Sequence, residues 1–285
     1  MKTRVISGFV LIVAMMLLLF IGGPVLLAAL FLLSLAGIYE LCQTVGREMI
    51  QPDGTRQKLL HPFAYTAMIF ALIWYLLLLL AKDQIWSGHL GMYFAAILVI
   101  TCMTICIFTY PKRKFEDAAM TVFTVLYVPV LFSFIYLLRE VKYGEFFVWY
   151  IILAAWGSDT MAYFTGMYLG AHRMAPKLSP KKTIEGAVGG VLGAVLICAI
   201  FGAIIADAVE LDRGVLVKCS LLLGLVGSLG SMAGDLFASS IKRIMKIKDY
   251  SNLIPGHGGV LDRFDSILFV APLMVMLLEL FKVIA

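Results

Sequence analysis

Charged residues are scarce in this sequence. Lys, Arg, Asp and Glu make up 14% of its 285 residues, and apolar residues make up 62%. Soluble globular domains contain about 25% charged and about 45–50% apolar residues, so this composition excludes a water-soluble core. The sequence also lacks a soluble domain, an internal repeat and a low-complexity tract.

Cysteines are few, and all of them lie within or at the edge of apolar stretches. No CxxC pair accompanies a second cluster, which argues against a zinc site. Their odd number and their positions also argue against disulfides, and we interpret them as small apolar core residues. The five are Cys42, Cys102, Cys106, Cys198 and Cys219.

Apolar runs of membrane-spanning length are abundant instead. About 20 apolar residues cross a bilayer, and in lipid each such run must be a helix because the backbone finds no water to bond. The predicted fold class is therefore an all-α polytopic integral membrane protein. The nine candidate spans are 5–21, 24–43, 62–81, 91–110, 119–138, 147–167, 185–206, 219–240 and 264–284.

The first run is interpreted as an uncleaved anchor, because no small-residue cleavage site follows Lys2 and Arg4. Gly22, Gly23 and Pro24 are expected to break it from the second run in a tight hairpin. If one of these two helices only enters the bilayer without crossing it, the count is eight.

The distribution of basic residues predicts the orientation. With the N-terminus in the cytoplasm, 17 of the 23 lysines and arginines fall in cytoplasmic segments and six outside. The positive-inside rule favours this nine-span arrangement. Loops 168–184 and 241–263, the longest basic ones, would then share the cytoplasmic face and could form one site. The net charge of +5 reflects topology, and we expect no nucleic-acid partner.

Carboxylates inside apolar spans are costly and mark functional sites by default. Three are singled out: Asp159, Glu185 and Asp235. The alternatives are a buried ion pair or a helix cap, and a cap suits Glu185 because an acidic residue at a helix start complements the helix dipole. Asp235 also belongs to a polar stripe at helical spacing. The stripe consists of Ser231, Asp235, Ser239 and Lys242.

The segment after span eight, residues 239–266, has the most distinctive pattern. It contains a stretch with little side-chain bulk, whose backbone N–H groups could converge on an anion. That stretch comprises Pro255, Gly256, His257, Gly258 and Gly259. His257 could act as an acid or base, or donate a hydrogen bond to a phosphate.

Asp262 and Asp265 follow at a spacing of three, with Arg263 between them. They could share a metal face, and carboxylates of this kind suit Mg²⁺, which takes one or two of them together with substrate phosphates. Basic residues precede the turn and could bind phosphate, although topology and attraction to anionic lipid are the alternative. These are Lys242, Arg243, Lys246 and Lys248.

The loop after span six offers a second anion site, because lysines and hydroxyls precede a helix N-terminus. An ordinary basic cytoplasmic loop is the alternative. The residues are Lys177, Ser179, Lys181, Lys182, Thr183 and Glu185.

At these residues the chain resembles the phosphatidate cytidylyltransferases, also called CDP-diacylglycerol synthases. The resemblance is specific from Asp159 to Asp265, whereas the first half matches only as a set of hydrophobic spans. The signature runs through Ser239, Lys242-Arg243, Lys248-Asp249, Pro255, His257-Gly258-Gly259, Asp262-Arg263 and Asp265, with Ser179 to Thr183 and Glu185-Gly186 upstream.

The resemblance implies that phosphatidic acid attacks the α-phosphorus of CTP at a membrane surface, giving CDP-diacylglycerol and pyrophosphate in phospholipid biosynthesis. It implies Mg²⁺, with K⁺ as a second expected cation, and a homodimer. Residues 1–285 would form one membrane domain, with packing and dimer helices in 1–146 and the catalytic helices and loops in 147–285.

The resemblance also assigns roles to residues. Asp235 and Asp262 are the first choices as metal ligands, and Asp249 and Asp265 the next; with His257 they form the expected catalytic set. The expected substrate-binding residues are Asp159, Lys177, Ser179, Lys181, Lys182, Thr183, Glu185, Ser239, Lys242, Arg243, Lys248, Gly258, Gly259 and Arg263.

Other classes fit less well. A secondary transporter or ion channel would explain the intramembrane carboxylates, but transporters commonly carry internal repeats with broken helices in both halves. Here the polar residues are concentrated in the second half. An alcohol phosphotransferase acting on a CDP-lipid would show a different Asp cluster within one helix, and a nonenzymatic scaffold would need none of these residues. The small size and the lack of a transit peptide favour a bacterial inner membrane.

Overall fold

Helices dominate the computed structural model, which confirms the predicted all-α class. It describes the backbone of residues 2–46, 48–50, 56–58, 63–86, 88–254 and 256–284, and the side chains of these residues except 2–7, 48–50, 56–58 and 82–86. Pro255, in the predicted Gly-rich stretch, lies outside the described residues.

The helices in the first half are α1 (Lys2–Ile21), α2 (Gly23–Val45), α3 (Ala64–Trp86), α4 (His89–Phe108), α5 (Phe115–Val125), a π-helical turn (Leu126–Val130) and α6 (Leu131–Arg139). Those in the second half are α7 (Gly144–Phe147), α8 (Trp149–Leu169), α9 (Ile184–Ile205), α10 (Arg213–Ile244) and α11 (Leu261–Leu280). Two small antiparallel hairpins pair β1 (Glu48–Ile50) with β2 (Arg56–Lys58) and β3 (Arg173–Ala175) with β4 (Ser179–Thr183).

Each predicted span coincides with helical structure, and the fifth combines α5, the π-helical turn and α6. Within the described part of the chain, six helices are long and apolar enough to cross a membrane, which confirms a polytopic membrane protein. They are Gly23–Val45, Ala64–Ala81, His89–Phe108, Phe115–Arg139, Ile184–Ile205 and Arg213–Ile244. In α1 the described apolar stretch, Gly8–Ile21, is shorter. The total of nine stays a prediction.

The chain divides into two compact units. Unit 1 comprises Met1–Ala14, Gly23–Ser133 and Asp249–Leu261, and unit 2 comprises Met15–Gly22, Phe134–Lys248 and Asp262–Ala285. The predicted single domain with a functional division at residue 146 stays a prediction.

In unit 1, α2 packs against α3, and buried polar side chains pair with one another. The hydroxyls of Ser34 and Tyr75 lie 2.9 Å apart. Trp74 Nε1 donates to Ser133 Oγ at 3.0 Å. Each buried polar group thereby recovers the hydrogen bond that it loses on leaving water.

Glycines bring the helices of unit 2 close together. Helix α9 packs against both α8 and α10. A Cβ at Gly190 would lie 2.9 Å from the Ser158 carbonyl oxygen, and one at Gly224 would lie 2.6 Å from Val195 Cα. Larger residues would push the backbones apart, so the packing uses the small-residue contacts that are typical of membrane helices.

Helix α11 approaches α10 in the same way. A Cβ at Gly234 would lie 2.6 Å from the Asp265 carbonyl oxygen and 3.0 Å from Phe269 Cδ2. Because Gly234 has no side chain, the first turns of α11 can pack directly against α10 at this position. Gly234 is the residue before Asp235. The packing of this face therefore decides where Asp265 lies.

The predicted break between the first two helices is confirmed. Helix α1 ends at Ile21, and Gly22 takes a φ of 67°, which favours glycine. Arg139 Nε donates to the Leu19 carbonyl at 2.8 Å, and its Nη2 donates to the Phe20 carbonyl at 3.2 Å. The guanidinium thus satisfies carbonyls that the end of α1 leaves without helical partners.

The close contact at Gly234 predicts the effect of adding one methyl group. Gly234→Ala should lower the free energy of unfolding by about 1–3 kcal/mol, because the contact is backbone and cannot rotate away. Thermal unfolding in detergent measures the effect. Gly157→Ala is the matched control: its Cβ would lie 3.5 Å from Ile197 Cδ1, an ordinary contact. Equal stability of the two variants would contradict the packing described here.

Candidate active site

An ion pair joins the β3–β4 hairpin to α10. Lys182 Nζ pairs with Asp235 Oδ2, and each side chain is about one-quarter exposed. Arg243 Nε, further along α10, donates to the Leu178 carbonyl at 3.2 Å. The loop after α8 therefore meets the end of α10, and the common cytoplasmic face of the two basic loops stays a prediction.

A second ion pair joins α10 to α11. Lys242 Nζ donates to Asp262 Oδ1 at 2.8 Å. The side chains are 12% and 3% exposed, so both charges are largely withdrawn from water. Lys242 is in the last turn of α10 and Asp262 in the first turn of α11, so the pair ties these two ends together.

Two further carboxylates belong to the same electrostatic cluster. The charges of Lys182 and Asp235 act on Asp159 of α8, and those of Asp235, Lys242 and Asp159 act on Asp265 of α11. Asp265 is buried, and its Oδ1 accepts a hydrogen bond from the Ser266 N–H at 2.9 Å. Asp159 and Asp265 therefore add two carboxyl groups to the two ion-paired aspartates, and a cation could use them as ligands.

The residues of the predicted polar stripe on α10 contact different parts of the structure. Asp235 pairs with the hairpin and Lys242 with α11. Ser231 is fully buried, and in the described part of the chain its hydroxyl has no hydrogen-bond partner. Ser239 is half-buried.

The hairpin itself holds several predicted anion-binding residues. Thr183 is the N-cap of α9, and its hydroxyl accepts a hydrogen bond from the Gly186 N–H at 3.1 Å. Ser179 begins β4, and Lys181 is exposed on it, as is Lys177 in the turn. The sequence predicted only a loop here, because β3 and β4 are too short to show a period.

Glu185 is engaged within the chain. Its carboxylate accepts hydrogen bonds from the Ala171 and His172 N–H groups, each at 3.1 Å, and lies 2.6 Å from His172 Nδ1. These partners lie in the loop after α8 and not at the start of α9, so the contacts are not those of a cap, and its role in substrate binding stays a prediction. His172, to which the sequence assigned no role, is its partner.

The Gly-rich stretch forms a tight turn in unit 1. Gly256 and Gly258 have φ values of 79° and 85°, and Ile254 forms a backbone bridge with Gly258. The His257 N–H donates to the Ile254 carbonyl at 2.9 Å, so this group is not available to an anion. Gly259 is buried.

Sequence reasoning missed Glu40 in α2. Its carboxylate accepts hydrogen bonds from Ser251 Oγ and from the Val260 and Leu261 N–H groups, all within unit 1. It lies inside the predicted span 24–43, so the rule that intramembrane carboxylates mark functional sites should have selected it. The remaining predicted residues Arg243, Lys248, Asp249 and Arg263 are exposed.

The donor set fits a magnesium ion that arrives with a nucleotide. Among the described side chains, no group of three or more His, Cys, Asp and Glu could hold a metal alone. Mg²⁺ needs only one or two protein carboxylates, since phosphates and water supply its other ligands. The carboxyl groups around Asp235 would supply these ligands.

Comparison with known proteins extends the resemblance to nearly the whole chain. The sequence profile of the cytidylyltransferase family matches residues 2–281. A phosphatidate cytidylyltransferase of Staphylococcus haemolyticus is 31% identical over 278 residues, 98% of this chain and 99% of that protein. Those of Bacillus subtilis and Staphylococcus saprophyticus are 28% and 29% identical, over 99% and 98% of this chain and 99% of each relative.

This chain belongs to the cytidylyltransferase family. The family resemblance predicted from residues 159–265 is confirmed, and it includes the first half, where the sequence had indicated only hydrophobic spans. The prediction of an enzyme is confirmed with it, in preference to a transporter, a channel or a scaffold.

The buried pair between α10 and α11 makes a testable contribution to the stability of this cytidylyltransferase. Lys242→Met should lower the free energy of unfolding by about 3–5 kcal/mol, because it removes the ammonium partner of a buried carboxylate. Lys242→Met with Asp262→Asn should recover part of that loss. Denaturation in detergent measures both.

The exposed pair of Arg213 and Asp207 provides the control, since its side chains are 62% and 84% exposed. Arg213→Met should cost less than about 1 kcal/mol. A Lys242→Met variant no less stable than this control would show that the buried pair does not hold the helix ends together.

Proposed function

We propose that this chain converts CTP and phosphatidic acid to CDP-diacylglycerol and pyrophosphate. The observation that carries the proposal is the cluster formed by the Lys182–Asp235 and Lys242–Asp262 pairs with Asp159 and Asp265. It combines two ammonium groups with four carboxyl groups from α8, α10 and α11. Full-length similarity to relatives that are named for this reaction supports it.

The reaction makes modest demands on acid–base chemistry. An oxygen of the lipid phosphate forms a bond to the α-phosphorus of CTP, while the bond from that phosphorus to the bridging oxygen breaks and pyrophosphate leaves. The nucleophile is a phosphate monoester that is already anionic at neutral pH, so it needs no strong general base. The enzyme must neutralise charge and hold the two substrates in line.

The two lysines suit the first task. Lys182 and Lys242 present ammonium groups at the ends of membrane helices, where they would bind phosphate oxygens of either substrate. Each is held by an aspartate, which fixes its position before a substrate arrives. Arg243 beside the hairpin adds a further positive charge on this face.

The aspartates suit the binding of magnesium. Asp235 and Asp262 would hold Mg²⁺, with Asp265 beside them, and the bound ion would neutralise charge on the triphosphate. Asp249 is the remaining candidate and lies in unit 1. K⁺ as a second cation and a homodimer are proposed from the family resemblance.

The proposed location is a bacterial inner membrane with the N-terminus and the active-site loops in the cytoplasm. The excess of basic residues in the cytoplasmic segments supports this orientation. The contact of Arg243 with Leu178 also supports it, since loop 168–184 and the end of α10 would then lie on one side of the membrane. CTP is water-soluble and phosphatidic acid lies in the bilayer, so the reaction requires a site at this boundary.

The test is pyrophosphate release from CTP by the purified protein in detergent. Release should require both phosphatidic acid and Mg²⁺, and a separate arm without K⁺ measures any dependence on the second cation. Diacylglycerol is the matched lipid control, because it lacks the attacking phosphate and should support no release. No release from folded protein with every component present would overturn the proposal.

Asp235 should be essential to turnover. Its side chain is about one-quarter exposed, so Asp235→Asn should fold and insert normally. Turnover should fall by about 100-fold or more, because one charge that stabilises the reacting phosphates is lost. Titration with Mg²⁺ should show a higher requirement in any residual activity. Asp207→Asn, at an exposed carboxylate of the same unit, should match the wild type, and equal turnover of both variants would remove Asp235 from the site.

A further inference from the structure

Glu40 is a fully buried carboxylate in the transmembrane helix α2. It is 1% exposed and lies five residues before the end of the helix at Val45. Burying an ionised carboxylate is costly unless it receives hydrogen bonds, so its partners must offset a large desolvation penalty. Nothing in the proposed reaction assigns it a task.

Its hydrogen-bond partners among the described residues lie in one segment, residues 251–261, more than 200 positions later in the chain. Ser251 Oγ donates to Oε1 at 2.6 Å, and the Val260 N–H donates to the same oxygen at 2.8 Å. The Leu261 N–H donates to Oε2 at 2.9 Å. The carboxylate therefore binds Ser251 at one end of this segment and Val260 and Leu261 at the other, with the Gly-rich turn between them.

The two backbone contacts lie at the start of α11, which begins at Leu261. A carboxylate there satisfies N–H groups that have no helical partners and interacts favourably with the positive end of the helix dipole. Acidic caps usually come from the residue next to the helix, but this one comes from a distant helix. It thus binds Val260 and Leu261 to α2 within unit 1.

Gly259 makes room for this contact. A Cβ at this position would lie 2.6 Å from Glu40 Oε1 and 2.7 Å from its Oε2. Any other residue would displace the carboxylate from the Val260 and Leu261 N–H groups. Part of the low side-chain bulk of the turn is therefore explained by Glu40.

The same contacts limit where a phosphate can bind. The Val260 and Leu261 N–H groups are occupied by a carboxylate, so they are not available to a phosphate. Asp262 is the next residue in the chain and belongs to the candidate metal set. A shift at Leu261 is thus transmitted through one peptide bond to Asp262.

We propose that Glu40 is a positioning residue that fixes segment 251–261 and, through Leu261, the placement of Asp262 for cytidylyl transfer. The proposal rests on the proposed function for its kinetic consequences. Glu40 does not touch substrate in this role. It acts by holding the start of α11 in register.

Glu40→Gln is the informative variant. It preserves size, but one carboxylate oxygen becomes an NH₂ group that cannot accept, so in the observed geometry it loses the hydrogen bond from either the Val260 or the Leu261 N–H group. Asp117→Asn is the matched control. Asp117 is also a buried acidic cap in unit 1 and accepts a hydrogen bond from the Lys114 N–H at 2.9 Å, but it caps α5.

Two readouts separate positioning from general stability. Hydrogen exchange in detergent should accelerate in residues 251–261 of Glu40→Gln and stay unchanged there in Asp117→Asn. In the pyrophosphate assay, kcat should fall by about 10–100-fold, since a misplacement of about 1 Å has effects of this size. The KM values for CTP and phosphatidic acid should change by less than about threefold, the pattern for loss of an interaction made in the transition state. Gly259→Ala should reproduce both effects from the other side of the contact.

Three outcomes would overturn the proposal. The first is unchanged exchange in residues 251–261, and the second is faster exchange with unchanged kcat. The third is an equal fall of kcat in Glu40→Gln and Asp117→Asn, which would indicate general destabilisation. Hydrogen exchange can be measured without turnover. An inactive wild-type protein would therefore contradict the proposed function, whereas the exchange rates would still test the contact of Glu40 with residues 251–261.

Discussion

Charges withdrawn from water must find partners, and this requirement organises unit 2. The desolvation penalty of a buried ion amounts to several kcal/mol, and breaking such a pair costs more than forming it gains. Lys242 and Asp262 meet this constraint between the ends of α10 and α11, and Lys182 and Asp235 meet it between β4 and α10. The pairs therefore determine which elements lie side by side. This packing in turn sets the positions of the candidate site residues.

The glycine contacts make this arrangement possible. Lys–Asp pairs reach only a few ångströms, so the helices that carry them must approach closely. Gly234 admits the backbone of α11 next to Asp235, and Gly190 and Gly224 do the same for α9 against α8 and α10. In lipid there is little hydrophobic force between helices, so close backbone packing and polar pairs supply the specificity. The same contacts that hold the helices together thus concentrate charge at one place.

Much of this could be predicted from the sequence, because its signals are local. Apolar runs predicted the helices, and Gly22 marked the end of the first. The residues from Asp159 to Asp265 predicted the family and the members of the cluster. The partner of each charge could not be predicted, since it depends on which helices pack together. The β3–β4 hairpin was missed because its strands are short. Glu40 was missed although its position in an apolar span was a sufficient signal.

The central claim is that the charged cluster directs attack on the α-phosphorus of CTP. The most direct test follows phosphorus label from CTP into the lipid extract, with the label at the α position in one reaction and at the γ position in another. The account predicts lipid-soluble label from the α position alone, with the γ label recovered in pyrophosphate. Label from the γ position in lipid would indicate phosphoryl transfer instead, and lipid without label from either position would contradict the reaction altogether.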